Sequence, residues 1–149
     1  MVAYQSDLHA SCLSFLEEGE ARLLLGVMDT LFCKGGSQLF EHGDRSECMY
    51  FIVSGRVAVQ NRTGFGDRMQ VVALLNAGAP IGERGLLGNS LRGAKVSVVE
   101  DAELLRLSMS GFADIVKKQP SLAISVLRWL LDRATLRLQK SSERLAHVL

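Results

Sequence analysis

Eleven of the fourteen glycines fall between Gly35 and Gly93, and they cut the middle of the chain into short apolar or alternating runs. The runs occupy residues 31–33, 38–40, 49–53, 57–60, 70–75, 95–99 and 103–107. Between them stand Lys34-Gly35-Gly36-Ser37, Gly43-Asp44, Ser54-Gly55, Thr63-Gly64-Phe65-Gly66-Asp67, Asn76-Ala77-Gly78 and Glu100-Asp101, which supply the positive φ or side-chain capping that tight turns need. Strands this short, spaced about eight to twelve residues apart, predict a sandwich, roll or barrel.

Both ends change character. Residues 17–29 carry Leu23, Leu24, Leu25 and Val27 among charges and predict a helix. Residues 110–118 predict a second, with Ser108 or Ser110 as N-cap and Gln119-Pro120 as a stop or kink. From Ser121 there is neither Pro nor Gly for 29 residues, and Ile124, Leu127, Leu131, Ala134, Leu138, Ser141, Leu145 and Val148 recur at alternating steps of three and four. That is a heptad seam, with Ser141 its single polar member. A small roll touched only near the start of the helix leaves much of such a seam bare, so the expected cover is a second copy of the helix in a parallel homodimer. Arg133, Arg137, Lys140 and Arg144 step along a neighbouring face interrupted by Asp132 and Glu143, and read as a solvated surface. One domain over residues 1–149 accounts for the whole pattern: an N-terminal helical segment 1–29, a β-roll 30–108 and C-terminal helices 109–149.

Composition narrows the function. Seventeen Lys and Arg against sixteen Asp and Glu leave a net charge of +1, so nothing at the level of the whole chain favours a nucleic-acid backbone or an anionic membrane, and any basic site must be local. The longest apolar runs fall far short of the ~20 residues of a spanning helix, and no secretory signal is readable in the first ten residues, which makes a cytoplasmic location the expectation. Cys12, Cys33 and Cys48 are odd in number and widely spaced, and are expected to be thiols rather than disulfides or metal ligands. No convincing pair of nucleophile and base is readable, and His9, His42 and His147 occur in unlike contexts, so no catalysis is expected.

The chemistry concentrates in Ile81-Gly82-Glu83-Arg84-Gly85-Leu86-Leu87-Gly88-Asn89-Ser90-Leu91-Arg92-Gly93-Ala94-Lys95-Val96. Gly82 permits a close backbone approach, and the residues after it can make one helical turn with free N–H groups. Arg92, nine residues after Glu83 and across a turn, brings a planar cation with fork geometry to the same place, which suits a phosphate. Glu83 beside a phosphate needs a hydrogen-bond donor to face, and a ribose hydroxyl is one. One Arg and one carboxylate fit a cyclic phosphodiester better than a triphosphate, for which no Gly-x-x-x-x-Gly-Lys-Ser/Thr run exists.

These residues resemble the phosphate-binding cassette of cyclic nucleotide-binding domains, as in the catabolite activator group of bacterial regulators, the regulatory subunits of cAMP-dependent protein kinase and cyclic nucleotide-gated channels. The likeness extends through Phe40-Glu41-His42-Gly43-Asp44, Met49-Tyr50-Phe51-Ile52-Val53-Ser54-Gly55-Arg56-Val57 and Gly78. It implies a double-stranded β-helix, that is, a jelly-roll-like β-roll, mainly β with flanking α, carrying an N-terminal helix and a long C-terminal dimerisation helix. It implies that Glu83 accepts the ribose 2′-hydroxyl, that Arg92 pairs with the cyclic phosphate, and that the backbone amides of Gly82, Gly93 and Ala94 add donors. It implies no cofactor, with cAMP or cGMP as regulatory ligand.

Three departures matter. Ala79 stands where the family often has an aspartate, Arg84 where it has a small or aliphatic residue, and Gly93 and Lys95 near positions of Ser or Thr. A lost neutral hydrogen bond costs about 0.5–1.5 kcal/mol and a lost charge-assisted one about 1.5–3, so weakened rather than abolished binding is expected. In the last helix, Ser141 and Ser142 resemble the adjacent hydroxyls that contact the purine in the catabolite activator group, although counting from Pro120 places that contact a turn earlier, near Arg137. The expected function is a regulatory module in which nucleotide occupancy is transmitted through the C-terminal helix to a partner protein or a fused effector domain, with no direct DNA binding by this chain. The alternative is a degenerate fold acting in dimerisation or docking without nucleotide.

Overall fold

The computed structural model of the protein describes residues 12–62 and 68–148. The expected turn at 63–67 and residues 1–11 of the N-terminal segment lie outside that range. Helix α1 (Glu18–Leu25) leads into strand β1 (Met28–Cys33), and then come β2 (Gln38–Phe40), β3 (Arg45–Ser46), β4 (Cys48–Arg62), β5 (Met69–Asn76) and β6 (Pro80–Ile81). A single 3-10 turn (Glu83–Leu86) precedes β7 (Ser90–Leu91) and β8 (Lys95–Ser108), and the chain finishes with α2 (Met109–Lys118) and α3 (Pro120–Val148). All pairings are antiparallel: β1-β8-β4-β5 form the main sheet, β2 adds to β8, β6 adds to β4, and β3 pairs with β7 as a separate two-stranded sheet. This is the expected β-roll with helices at both ends.

The apolar run at the head of β4 shows why the roll forms. Met49, Phe51 and Val53 point to one side and join Leu105 and Leu107 of β8 in a core shared with Leu24, Phe112, Ile115, Leu122, Ala123, Val126 and Leu130 of the helices. Tyr50 and Ile52 point to the other side and join Phe40, Val57, Ile81, Val96, Val98 and Leu104 inside the roll. A strand apolar at every position is a strand buried on both faces, and the period of two sorts its residues into two cores.

Several boundaries differ from expectation. The first helix ends at Leu25 rather than reaching 29, because Met28 and Asp29 pair with Leu107 and Arg106 of β8 and so begin β1. The runs at 49–53 and 57–60 are one strand, β4, and those at 95–99 and 103–107 are one strand, β8. Ser54-Gly55 is an irregularity within the ladder rather than a hairpin turn, with register shifts on either side of Ser54. Gly55 takes φ +95°, and a Cβ there would run into the Asp101 carbonyl and Ala102, so the bend needs glycine.

Helix α2 is capped as expected: the Ser108 hydroxyl accepts from Gly111 N at 2.9 Å. Pro120 both stops α2 and occupies the first position of α3, where its fixed φ suits a helix start. The buried residues of α3 are Leu122, Ala123, Val126 and Leu130, all in its first turns. The seam residues face away, with Leu131 and Leu138 each 68% exposed, so the stripe does not pack on its own roll. No described helix is long and apolar enough to cross a membrane.

Candidate functional site

The cassette is positioned by its apolar and glycine residues. Ile81 pairs with Tyr50 at the end of β6, and Gly82, at φ +67°, turns the chain into the short 3-10 turn. Gly85 is buried against the main chain of Cys48, where a side chain would collide, and Leu86 packs onto the helix-side core. The chain then reverses through Gly88 and Asn89, both at positive φ, into β7, whose Ser90 and Leu91 pair with Ser46 and Arg45. Arg92 follows, fixed by its N–H donating to Asp44 O at 2.7 Å and its carbonyl accepting from Gly43 N at 2.9 Å.

Leu91 points outward and Arg92 inward, and the Arg92 residue is only 5% exposed. Its Nη1 donates to Gly82 O at 3.1 Å, and its Nη2 donates to Cys48 O at 2.8 Å and to Cys48 Sγ at 3.4 Å. The guanidinium carbon lies 4.1 Å from the centre of the Phe40 ring, a cation–π contact. Nε is buried with no hydrogen-bond partner. Among the described residues no carboxylate neutralises this cation, which is the costly arrangement that an anion would relieve. Beside it, burial and a hydrogen bond with Cys48 push the Tyr50 phenol up to about 12, so it stays a neutral donor.

Arg92 lies at one side of a cavity of about 200 Å³ whose walls include Phe40, Val59, Leu75, Ile81 and Val96 and whose polar end carries Gly82, Glu83, Arg84, Gly93, Ala94 and Arg137. The cavity is smaller than the roughly 300–1,000 Å³ of a drug-sized site, and the reason is visible at its mouth. Arg137 of α3 reaches down and pairs with Glu83.

Five of the residues expected at the site therefore come together: Gly82, Glu83, Arg92, Gly93 and Ala94. Ser141 and Ser142 do not line the cavity; both are exposed, about one turn further along α3. The helix position over the cavity is Arg137, the one reached by counting from Pro120. The basic face is largely solvated as expected, with Arg137, Lys140 and Arg144 exposed, but it also makes contacts with the roll. Besides Arg137, Arg133 lies 5.1 Å from the Trp129 ring, and with Lys140 they flank a second cavity of about 140 Å³ against Leu75, Ala79 and Pro80. Lys95 turns away toward Glu41, at 4.0 Å, and adds no charge to the site. Sequence reasoning missed Phe40 beneath the guanidinium and Ser46, whose buried Oγ has no partner and which also lines the cavity. Neither carries a local signal, since each is brought from a strand more than forty residues before Arg92. No group of three or more His, Cys, Asp or Glu able to hold a metal assembles among the described residues.

The site is thus an apolar cleft in a β-roll, with one buried unneutralised guanidinium and one carboxylate at its polar end. The chain belongs to the cyclic nucleotide-binding domain family, whose model matches residues 30–119. It is 31% identical over 114 residues to the cyclic AMP receptor protein of Thermus thermophilus, covering 76% of this chain and 52% of that one, so it spans about half the length of this relative. The crystal structure of the Thermus thermophilus catabolite activator protein superposes with a TM-score of 0.70 at 31% identity, over 85% of this chain and 61% of that one. A cyclic nucleotide-binding domain from Methylobacillus flagellatus shares the fold over 98% of this chain and 85% of its own, with a TM-score of 0.89 at 22% identity.

Proposed function

We propose that the chain is a regulatory module that binds cAMP or cGMP in the cavity beneath Arg137. Arg92 would hold the cyclic phosphate, Glu83 the ribose 2′-hydroxyl, and the amides of Gly82, Gly93 and Ala94 the remaining oxygens. The observation that carries this reading is the buried Arg92 guanidinium with its unpartnered Nε, placed in one cavity with Glu83.

The Glu83–Arg137 pair supplies the link to the last helix. A ribose hydroxyl donating to Glu83 competes with Arg137 for the same carboxylate, so occupancy and the position of α3 are coupled through that oxygen. Beyond the roll, the exposed seam of α3 serves a parallel homodimer, and Ser141 and Ser142 approach the base only if the helix moves along the cavity. A fused effector or a separate partner protein then reads the helix.

Titration calorimetry with cAMP and with cGMP tests the proposal. One of them binds, and Arg92→Ala weakens that binding at least about tenfold. Undiminished affinity in the variant would refute the assignment. A second reading keeps the fold as a docking module without nucleotide, and the engagement of Glu83 by Arg137 favours it. Under that reading neither nucleotide raises the melting temperature at millimolar concentration.

A further inference from the structure

Arg84 sits one residue after Glu83, in the short 3-10 turn, and lines the same cavity. Its backbone is held in place: its carbonyl accepts from Leu87 N at 3.0 Å and from Ser90 Oγ at 3.0 Å. Its guanidinium folds over Gly93, so closely that a Cβ on Gly93 would lie 3.2 Å from Arg84 Nη1. Among the described residues no carboxylate pairs with it. Residues 93–95 read Gly-Ala-Lys and offer no hydroxyl, so the cassette's side-chain donors next to Gly93 are the two guanidiniums of Arg84 and Arg92.

Charge and geometry both follow. With Glu83 taken by Arg137, the polar end of the cavity keeps two positive charges that nothing described there cancels. A cyclic phosphodiester has two exocyclic oxygens sharing one negative charge, and each oxygen accepts well from a planar guanidinium. We propose that Arg84 is a second phosphate-binding residue, admitted over Gly93 because that residue has no side chain, and that it and Arg92 take one exocyclic oxygen each. The inference rests on the cyclic nucleotide reading of the cavity. It also makes Gly93 a spacer for the Arg84 side chain: even a Cβ there requires the second guanidinium to give way by a few tenths of an ångström.

The test is a double-mutant cycle by titration calorimetry, using whichever of cAMP and cGMP the wild-type chain binds more tightly. Arg84→Gln lowers affinity about tenfold, and Arg84→Lys recovers part of the loss. Gly93→Ala lowers affinity about threefold when Arg84 is present and costs nothing further in the Arg84→Gln background. The affinity of Arg84→Gln also falls less steeply with added salt than that of the wild type, a difference that a purely structural role would not produce. The ligand-free melting temperature stays unchanged because the Arg84 side chain is exposed. If Arg84→Gln binds within about twofold of wild type while Arg92→Ala does not, this inference is overturned and the cavity assignment stands; if wild type binds neither nucleotide, both fall.

Discussion

Arg92 holds a positive charge in a place where burial alone would forbid it. Two main-chain carbonyls, a thiol and the Phe40 ring share its guanidinium, yet none of them carries a negative charge to balance it. Gly82 makes this arrangement possible. Its φ of +67° costs an L-residue roughly 1–2 kcal/mol, and a Cβ there would strike Arg92 Nη1. Gly82→Ala is therefore expected to lower stability by roughly that amount in urea denaturation and to weaken nucleotide binding; a variant equal to wild type in both would show that the turn is more tolerant than its geometry implies. Cys12 offers an independent check on the helix-side core. Burial pushes its thiol up to about 12, so at pH 8 it resists alkylation by iodoacetamide until the chain is unfolded, which mass spectrometry reads directly. The unfolded thiol loses its proton above about pH 8.5 while the folded one keeps it, so the same burial makes stability fall as pH rises past that value. Glu83 and Arg92 were legible in the sequence because a glycine turn, a guanidinium nine residues after a carboxylate and the likeness to a phosphate-binding cassette converge on one segment. Phe40 and Ser46 were not, because their contacts with the site cross between strands.

At the scale of elements, α3 divides its labour along its length and around its circumference. Leu122, Ala123, Val126 and Leu130 anchor the first turns in the core, while the seam through Leu131 and Leu138 stays open to solvent. Burying a leucine contributes about 1.5–3 kcal/mol, so in the proposed dimer each seam leucine covered by a second copy favours pairing, and a charge in its place opposes it. Leu131→Asp is expected to shift sedimentation of the chain from dimer to monomer; a monomeric wild type would contradict the seam assignment. Further along the helix, Arg137 reaches Glu83 in the roll. Arg137→Ala removes the competitor for Glu83, so hydrogen exchange along 131–148 should lose its dependence on nucleotide, whereas an unchanged dependence would place the coupling elsewhere. The extent of this helix was plain from its lack of Pro and Gly. Its rotation over the roll was not: the basic face was indistinguishable from a solvated one until Glu83 was seen beneath it. The strands were harder in a different way, since Ser54-Gly55 and Glu100-Asp101 carry turn chemistry yet lie within β4 and β8 as irregularities of continuous ladders.

Over the whole molecule, β4 and β8 belong to two cores at once. One face of β4 is packed by the helices through Phe51, and the other lines the roll through Tyr50 and Ile52, so the cavity and the helical layer share a wall one strand thick. On the proposed reading, a ligand at the polar end of the roll acts on α3 through the Glu83–Arg137 contact, while the shared wall holds the first turns of the helix in place. Glycine spacing and helix patterning narrow the architecture to a sandwich, roll or barrel flanked by helices and the family resemblance selects the roll, whereas the closing contact depends on how two distant elements meet. Co-crystallisation with the tighter-binding nucleotide tests the account most directly. It predicts density for a cyclic phosphate against Arg92, a ribose hydroxyl on Glu83, and Arg137 displaced from that carboxylate. Density at another surface, or a cavity still closed by the Glu83–Arg137 pair at saturating nucleotide, would contradict it.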